Sequence, residues 1–445
     1  MGKLMYDRII KYRISATVNT PMHIGSFSGD SEEVLTDTST GVPFIQAAGL
    51  SGMLRNLSGM VNGEDETQVL FGTSKSSAAG GNDSNSRVKI TDGLFKRDSI
   101  KLETRPNISI DRETGTVSSK SGMGQKFNIT YVSPGAKFDF FIYLYLNDDK
   151  EEAATESVLG ALKNQSVMGS KKSSGAGRFT VDRIDKVVFD MKTAEGRLSW
   201  ACEDDEEKVK YSDITSACAS DNSPVKYVIN ICAQTEGPIQ IKGLGVSEVG
   251  DAPDSENIRD SCGECIIPGT SVRGAIRSRM EMIADYQNRK CIIDNAFGLI
   301  GEKQSDSKAG NLVFFDSRIG ESESNDKNPI RNRIHIDKFT GGVINGGFFK
   351  EKNANGEVNI NIQILDKNDP DSTLGLLLYA LRDLAAHTYN LGSGYSIGKG
   401  YVNIDKIEIS SGENKSAIEF GTESKTNDES GIIAGALKAL KEVQE

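Results

Sequence analysis

The sequence predicts an α+β fold made of two tandem ferredoxin-like units, and three observations support this class. The chain has 445 residues, which is enough for two or three domains with their own cores. Alternating strand patterns and amphipathic helix patterns follow one another twice along it. Short motifs also recur in the same order at a nearly constant offset. We therefore expect one structural unit with two helices to occur twice.

The internal repeat is the strongest signal in the sequence. A glycine-rich loop, GSKKSSGAGRFTV, matches GSGYSIGKGYVNI in the second half, and a helix pattern, LSGMLRNL, matches SVRGAIRS. A strand followed by an aspartate, VKITDGLF, matches LVFFDSRI, and RPNISIDRETG matches NRIHIDKFTGG. Five matches share offsets of 222 to 226 residues: Arg55–Arg277, Gly72–Gly298, Asp92–Asp316, Asp111–Asp337 and Gly175–Gly398. We call the two repeats copy one and copy two.

Each copy has the same predicted order of elements. An opening strand leads through an acidic loop to a helix, and a polar loop then precedes a strand and a hairpin segment with the pattern I-D-[RK]-x-T-G. A further strand, a second helix and a glycine loop with a closing strand complete the copy. We place copy one at 1–200, an acidic linker at 201–224, copy two at 225–412, and a tail with a short amphipathic helix at 413–445.

Composition restricts the class of protein. The formal net charge of −11 argues against a general nucleic-acid binder, although local basic grooves are compatible with it. No apolar run approaches the ~20 residues of a membrane helix, and the start lacks a signal-peptide core, so we expect a cytoplasmic protein. The six cysteines show no framework spacing, so we expect free thiols; metal or redox chemistry at Cys262 and Cys265 is the minor alternative.

The glycine loop of copy two resembles a phosphate cradle, but two familiar cradles fail by spacing. Ser393 stands where a P-loop needs its first glycine, and Ile397 stands where a dinucleotide fingerprint needs its third. The remaining interpretations are a loop that follows an RNA backbone and a tight strand connection with solvated lysines. The first interpretation makes the following residues RNA-binding candidates: Lys171, Lys172, Arg178, Lys399 and, by stacking, Tyr401.

The helix pattern PGTSVRGAIRSRMEMIADY offers a second candidate for anion binding. It has a predicted Ser/Thr cap, and two arginines lie off its apolar face. An uncovered helix N-terminus beside arginine side chains attracts phosphate, whereas a solvated helix with surface arginines is the alternative. The RNA-binding candidates from this helix and its counterpart in copy one are Ser51, Arg55, Ser271, Arg273 and Arg277.

The acidic loops, GSFSGDSEEVLTDTSTG and GVSEVGDAPDSENIRD, could supply carboxylates for chemistry. A carboxylate that faces RNA can bind a divalent cation or help to activate a 2′-hydroxyl group. An aspartate in a Gly/Ser loop is more often solvated or turn-forming. The residues alone leave both interpretations open.

Several segments of the sequence together resemble a known family. The segments TPMHIGS, GDSEEVLTD and TGVPFIQAAGLSGMLR, and their counterparts GPIQIKG, PDSENIRD and CIIPGTSVRGAIR, resemble the RAMP superfamily, most closely the backbone subunits of type III CRISPR effector complexes. The resemblance covers nearly the whole chain except the linker and the tail. It implies RRM-like, ferredoxin-like RAMP domains with inserted thumb hairpins and loops. It also implies a filament of subunits that holds guide RNA, in which the thumbs kink the guide–target duplex.

The resemblance also implies an activity and its residues. In the catalytic members of this group, an acidic-loop aspartate cuts target RNA with the help of a divalent metal. That role falls on Asp254 in copy two, with Asp251 as its nearest rival, and on Asp30 in copy one, where the motif is one residue longer. We expect Mg²⁺ or a similar ion at Asp30 and Asp254, and RNA contacts from His335 and Lys338 in the hairpin segment. The expected protein is an endoribonuclease of antiviral defence.

Two fused copies resemble a tandem backbone subunit, as in the type III-D-like branch, that fills two adjacent filament positions. The expected partners are guide RNA, target RNA and other type III effector subunits, with no membrane. Three alternatives stay open: a two-domain subunit that caps one end of a type III-B complex, a tandem scaffold without cleavage, and a guide-processing endonuclease. The last usually relies on histidine chemistry, and the three histidines of this chain are not paired between the copies.

Overall fold

The computed structural model describes most of the chain, as two compact units. The described residues are 6–28, 31–73, 85–111, 116–117, 119–120, 123–124, 126–147, 149–164, 166–203, 209–218, 223–244, 253–301, 306–321, 330–421 and 423–443. Unit 1 comprises Met1–Leu102, Thr130–Lys172 and Ala176–Ser223. Unit 2 comprises Glu103–Ile129, Ser173–Gly175 and Pro224–Glu445, so it includes two segments from the sequence of copy one. The predicted boundaries place both of these segments in copy one, at 1–200, and so do not predict that they pack with unit 2.

The first half of the chain, up to Ser223, has thirteen strands and four helices among its described residues. The strands are β1 (Arg8–Val18), β2 (Gly25–Ser28), β3 (Ser31–Val34), β4 (Phe44–Ile45), β5 (Val88–Ile90), β6 (Gly93–Phe95), β7 (Leu102–Ile108), β8 (Ser119–Lys120), β9 (Met123–Gly124), β10 (Lys126–Val132), β11 (Lys137–Leu146), β12 (Phe179–Asp190) and β13 (Ser212–Asp213). The helices are α1 (Ala47–Val61), α2 (Glu64–Phe71), α3 (Lys150–Asn164) and α4 (Ala194–Ala201).

The second half has the same general plan in its described part. The strands are β14 (Val225–Glu236), β15 (Ser255–Glu256), β16 (Ile266–Ile267), β17 (Gly298–Leu299), β18 (Lys308–Ala309), β19 (Leu312–Phe314), β20 (Ser317–Glu321), β21 (Ile330–Ile336), β22 (Val343–Lys352), β23 (Gly356–Leu365), β24 (Tyr401–Ser411), β25 (Asn414–Glu419) and β26 (Lys425–Asn427). The helices are α5 (Gly269–Gln287), α6 (Cys291–Phe297), α7 (Pro370–Ala385) and α8 (Ile432–Glu442).

The main sheet of unit 1 has its opening strand at the centre. Strand β1 pairs antiparallel with β11 on one side and with β12 on the other, and the order is β13-β12-β1-β11-β6-β4, with β5 also on β11. Alternate residues of β1, among them Ile10, Tyr12 and Ile14, are fully buried. They form one core with apolar side chains of α1 and α3, because successive residues of a strand face opposite sides of the sheet.

The main sheet of unit 2 repeats this arrangement. Strand β14 pairs antiparallel with β23 and β24, and the order is β16-β20-β23-β14-β24-β25-β26, with β19 also on β23. Helices α5 and α7 cover its apolar face. The tail helix α8 packs on α7 of the same chain, so closely that a Cβ at Gly375 would lie 2.5 Å from the carbonyl oxygen of Ala436. The short amphipathic helix predicted in the tail is therefore part of this core.

The two sheets share a local irregularity, which strengthens the evidence for duplication. The register of β1 with β12 shifts between Ser15 and Ala16, and that of β14 with β24 shifts between Cys232 and Ala233. Each shift falls at the same place in the opening strand of its copy. The predicted α+β class, with two tandem ferredoxin-like domains, is confirmed.

The I-D-x-x-T-G segment of copy two forms the tip of a hairpin, as expected. Strands β21 and β22 pair antiparallel, and the Oδ1 atom of Asp337 accepts hydrogen bonds from the N–H groups of Phe339 at 2.9 Å and Thr340 at 2.7 Å. The backbone N–H groups of Thr340 and Phe339 hold the pKa of Asp337 below its usual range. Gly341 takes the positive φ of 69° that closes the turn. This aspartate is thus a turn-forming residue.

Two further expectations concern the cysteines and membrane-spanning helices. All six cysteines are free thiols. No helix among the described residues is long and apolar enough to cross a membrane.

Candidate functional site at the base of the second hairpin

Asp254 lies where the acidic loop of copy two meets the hairpin. The Oδ2 atom of Asp254 accepts a hydrogen bond from the N–H of Lys350 at 2.6 Å, and the Asp254 N–H donates to the carbonyl oxygen of Lys350 at 2.9 Å. Strand β15 then runs parallel to β22, with Ser255 opposite Glu351. The Asp254 side chain is exposed. Its carboxylate is therefore fixed to the base of the hairpin and still open to a ligand.

The other predicted carboxylates, Asp30 and Asp251, lie outside the described residues. Within the described ranges, no three His, Cys, Asp or Glu side chains are grouped so that they could hold a metal ion. One oxygen of the Asp254 carboxylate is held by a backbone N–H, and the other is open to a ligand. Mg²⁺ keeps several waters and is usually bound by one or two carboxylates together with substrate phosphates, so Asp254 fits it as one ligand of such a set.

A buried ion pair anchors the hairpin beside Asp254. Glu351 of β22 accepts hydrogen bonds from the Nζ atom of Lys399 at 2.5 Å and from the Nη1 atom of Arg333 at 3.1 Å. The same Lys399 Nζ donates to the Oε1 atom of Gln240 at 3.1 Å. Burial alone would raise the pKa of Glu351, but its hydrogen bond and charge pair with Lys399, helped by Arg333, hold that pKa below its usual range. The pair joins the hairpin to the glycine loop.

Lys399 is therefore not the surface cation that either sequence interpretation describes. Only 5% of Lys399 and 4% of Glu351 is exposed. An ammonium group paired in this way is not presented to solvent, so we do not retain Lys399 as a contact for RNA. A signal was present in the sequence: copy two has Gly-Lys-Gly where copy one has Gly-Ala-Gly around Ala176.

The glycines of both loops serve close packing of backbone against backbone. A Cβ at Gly392 would lie 2.6 Å from the carbonyl oxygen of Gln240, and a Cβ at Gly400 would lie 2.2 Å from that of Leu391. The corresponding distances in copy one are as short, at Gly169 to His23 and at Gly177 to Met168. All four glycines have a positive φ. The loops therefore close each sheet, as the tight-connection interpretation proposes.

The remaining loop candidates differ in exposure. Lys172 is exposed, whereas Lys171 is half-buried with a φ of 59°. The guanidinium of Arg178 is half-buried, and burial lowers its pKa. Tyr401 is half-buried, with its ring centroid 6.1 Å from that of Tyr395, whose side chain is exposed. Lys172 and the two tyrosines are the loop residues best placed to meet a ligand.

The helix N-termini are occupied by aspartates from a neighbouring strand end. The first N–H of α5, at Gly269, donates to the Oδ1 atom of Asp316 at 2.8 Å, and that of α1, at Ala47, donates to Asp92 Oδ1 at 2.7 Å. The predicted Ser/Thr cap of α5 is wrong, because the helix begins earlier, after Pro268, without a side-chain cap of its own. These N–H groups are consequently not available to a phosphate.

Comparison with known proteins identifies the family. A family model described as the RAMP superfamily matches residues 15–180 and 234–403, which is more than half of the chain. The chain belongs to the RAMP superfamily. Because the two matches fall in copy one and copy two, the predicted tandem organisation is confirmed.

Solved structures are also similar to this RAMP protein. One of them is a chain of the cryo-EM structure of the type III-B Cmr-β bound to cognate target RNA, with 20% sequence identity and a TM-score of 0.32. The match covers 40% of this chain and 61% of that chain, which is less than two thirds of its length. No curated protein matches.

The arginines of α5 in the second RAMP copy are held on one aromatic ring. The guanidinium carbons of Arg273 and Arg277 each lie 5.3 Å from the ring centroid of Phe297. Arg273 also donates to the carbonyl oxygen of Phe297 at 3.2 Å, and the Nε of Arg277 donates to Glu281 at 2.8 Å. Ser271 is half-buried, and its N–H donates to the carbonyl oxygen of Pro268 at 2.8 Å.

The candidates on α1 and on the hairpin are more accessible. Arg55 lines an open cavity of about 470 Å³ beside α2, and Ser51 is half-buried one turn earlier. On the hairpin, His335 and Lys338 are exposed, and the Lys338 Nζ lies 5.2 Å from the ring centroid of Phe339. That ring is 87% exposed. The hairpin of copy two therefore presents cationic and apolar groups together.

One charged cluster in unit 2 was missed from the sequence. The Nη1 atom of Arg105 donates to Asp316 Oδ2 at 2.6 Å, and its Nη2 atom lies 2.7 Å from Glu103. Arg105 is only 8% exposed. Burial raises the pKa of Glu103, and the charge of Arg105 opposes that shift. The only sequence signal was that both Arg105 and Asp316 lie in motifs that recur.

Proposed function

We propose that this chain is a tandem backbone subunit of a cytoplasmic type III CRISPR complex, of the type III-D-like branch. It binds guide RNA and cleaves the paired target RNA. Membership of the RAMP superfamily in two copies supports the class of protein. The observation that carries the cleavage proposal is the exposed carboxylate of Asp254, bound through one oxygen to the hairpin backbone at Lys350.

The position of Asp254 suits chemistry on a distorted strand. In this proposal the hairpin enters the guide–target duplex through exposed groups such as His335 and Phe339, so that target nucleotides beside it are displaced. A carboxylate at the base of the hairpin then lies near a displaced phosphodiester. The Lys350 N–H fixes its orientation, and the free oxygen can accept a proton from a 2′-hydroxyl or hold a cation. A bound Mg²⁺ would neutralise charge on the scissile phosphate.

The test compares assembled complexes that contain wild-type chain or Asp254→Asn. We expect the variant to cut the target at the site served by copy two about 100-fold more slowly or worse, because the amide neither takes up a proton nor neutralises a cation. Guide and target binding should stay within about twofold, since the amide oxygen still accepts from Lys350. The matched control is Asp405→Asn, an exposed aspartate on β24. Cleavage at the wild-type rate in Asp254→Asn would exclude the catalytic role.

A scaffold or end-capping subunit without cleavage is the second candidate. It is favoured by the metal-ligand inventory, because no three His, Cys, Asp or Glu side chains of the described residues are grouped so that they could hold a metal ion. Complexes with Asp30→Asn, Asp254→Asn and both substitutions distinguish the candidates. Loss of one cut per single variant supports two active copies, whereas three unchanged fragment patterns support the scaffold.

A further inference from the structure

The acidic loop that carries Asp254 joins the hairpin through a very short strand. Strand β15 has two residues, the first of which is Ser255, and it pairs parallel with β22. Backbone bonds flank this pairing, because the Asp254 N–H donates to Lys350 and the Asn257 N–H donates to Lys352 at 3.1 Å. Strands usually have about 3–10 residues, so a strand of two has little backbone pairing to fix it. Side-chain contacts must then supply much of the fixed position of the loop.

The buried amide of Gln240 supplies one such contact. Its Nε2 atom donates to the Oγ atom of Ser255, the neighbour of Asp254 in the chain, at 2.9 Å. Gln240 is only 2% exposed. Its carbonyl oxygen accepts hydrogen bonds from the N–H of Ser393 at 2.9 Å and from the Ser393 hydroxyl at 3.1 Å, so the glycine loop fixes its backbone. The amide thus links the glycine loop to the loop that carries Asp254.

Lys399 decides which way that amide points. Its Nζ atom donates to the Oε1 atom of Gln240 at 3.1 Å. An ammonium group has three donors and no acceptor, so the amide oxygen must face Lys399 and the amide nitrogen must face Ser255. A flipped amide would place donor against donor in a site closed to water, which is unfavourable. The orientation of the Gln240 side chain is therefore unique.

The same ammonium group also holds the strand on the other side of Asp254. The Nζ atom of Lys399 donates to Glu351 at 2.5 Å, and Glu351 directly follows Lys350, whose N–H binds Asp254. Glu351 lies opposite Ser255 in the pairing of β22 with β15. Lys399 is therefore joined to both strands, to one through an amide and to the other through a carboxylate.

The residues of this network are not repeated in copy one. Matching bridges beside these positions align the two copies. The copy-one residues that correspond to Gln240, Glu351 and Lys399 are, in that order, His23, Ile129 and Ala176. The Nδ1 atom of His23 lies 2.7 Å from the carbonyl oxygen of Thr130, and its Nε2 atom lies 3.6 Å from Glu32. The three members differ together between the copies, as expected for residues that act as one set.

We propose that Gln240 is a positioning residue for target cleavage: oriented by Lys399, its amide fixes Ser255 and so aims the Asp254 carboxylate. A reacting group must be held within about 0.5 Å of its productive position by neighbours that are themselves fixed. The network has this form, because its links are directional hydrogen bonds and its centre is closed to water. This inference rests on the proposed function, since it assumes that Asp254 takes part in cleavage. It gives the lysine of the glycine loop a role that needs no contact with RNA.

Single-turnover cleavage by assembled complexes tests the proposal, with target binding measured on the same samples. Ser255→Ala removes the hydroxyl that Gln240 holds, and Gln240→Met removes both amide contacts at nearly constant volume. We expect each variant to slow the cut served by copy two about 10-fold or more, as loss of a supporting contact typically does. The dissociation constant for target should stay within about twofold, because the exposed groups of the hairpin are unchanged.

Further variants separate positioning from a loss of structure. Ser255→Thr keeps the hydroxyl and should cut within about threefold of the wild-type rate. Ser255→Ala combined with Gln240→Met should cut within about twofold of Gln240→Met alone, because both substitutions break the same contact. Ser410→Ala, which removes a half-buried hydroxyl on β24, is the matched control and should cut like wild type. Thermal unfolding verifies that each variant is folded, and the Ser255 variants carry the test if Gln240→Met is not.

Asp254→Asn in the same assay separates this inference from the proposed function. If Asp254→Asn is slow while Ser255→Ala and Gln240→Met cut at the wild-type rate, the positioning role is wrong and the proposed function stands. The positioning role is also overturned if Ser255→Thr is as slow as Ser255→Ala, or if target binding weakens in proportion to the rate. Cleavage by Asp254→Asn at the wild-type rate overturns both.

Discussion

The N-termini of α1 and α5 share one capping motif, but the capping aspartate has a different environment in each. In each, an aspartate after a strand accepts the first helical N–H, so the local architecture is the same. At α5 the aspartate also meets the nearly buried Arg105, whereas at α1 the aspartate faces solvent. A charge pair removed from water is costly to break, while an exposed charge contributes little on its own. Equivalent residues should therefore respond very differently to substitution.

The closing loops provide a second contrast between the copies. Both use glycines to bring backbone against backbone, yet only copy two inserts a lysine, and that lysine is buried against a hairpin carboxylate. Copy one has Ala176 at the corresponding place, with no charge to satisfy. The hairpin of copy two is thus tied to its sheet by an ion pair that the loop of copy one does not contain.

The largest expected effect comes from breaking that ion pair. Lys399→Met leaves the buried Glu351 with Arg333 as its remaining cationic partner, and we expect it to lower the free energy of unfolding of copy two by about 3–5 kcal/mol. The double variant Lys399→Met with Glu351→Gln should recover part of that loss, because the carboxylate that lost its buried partner is then neutral. Urea unfolding followed by far-ultraviolet circular dichroism measures both. A double variant less stable than Lys399→Met would contradict this account.

A smaller effect concerns Arg105 and Arg331, which occupy equivalent positions in the two copies. Arg105→Met leaves Asp316 partly buried without its cation and should cost about 3 kcal/mol. Arg331 is the counterpart of Arg105 at the repeat offset of 226, and it is exposed on β21. Arg331→Met should therefore change stability by less than about 0.5 kcal/mol. Thermal unfolding compares the two variants. Similar losses of stability in the two variants would show that the burial of Arg105 does not make it more important for stability than the exposed Arg331.

The smallest effect is the pH dependence of the Glu351 pair. The pKa of Glu351 in the folded chain lies below its usual 4.5, so its stabilising contribution is present above about that pH and is lost as the pH falls through the folded pKa. We therefore expect the difference in stability between wild type and Glu351→Gln to shrink as the pH falls from 6 towards the acid limit of folding. Urea unfolding at several pH values measures it, and a constant or growing difference would count against the assignment.

Much of the fold follows from the sequence because its determinants are local. The period-two pattern of β1 and β14 directs alternate residues to one face, which suffices to predict half-buried strands. The I-D-x-x-T-G segment forms its turn from its own aspartate and glycine, so the hairpin tip could be predicted without knowledge of its neighbours. Repetition of these signals in order predicted the tandem arrangement.

The contacts of the candidate site could not be predicted from local sequence patterns in this way. Asp254 was singled out through a family resemblance, but its bond to Lys350 joins residues 96 positions apart. The capping of α5 by Asp316, 47 residues from Gly269, could not be deduced from a helix pattern that offered its own Ser and Thr.

The sequence by itself determined that one α+β unit occurs twice, with a hairpin and a glycine loop in each copy. Tertiary structure alone decided which charges are structural and which are presented to solvent. Lys399 and Arg331 look equally cationic in the sequence, yet one is buried against Glu351 and the other is exposed. The physical reason is that the fate of a charge depends on desolvation and on the partner brought to it, and both are set by packing between segments distant in the chain.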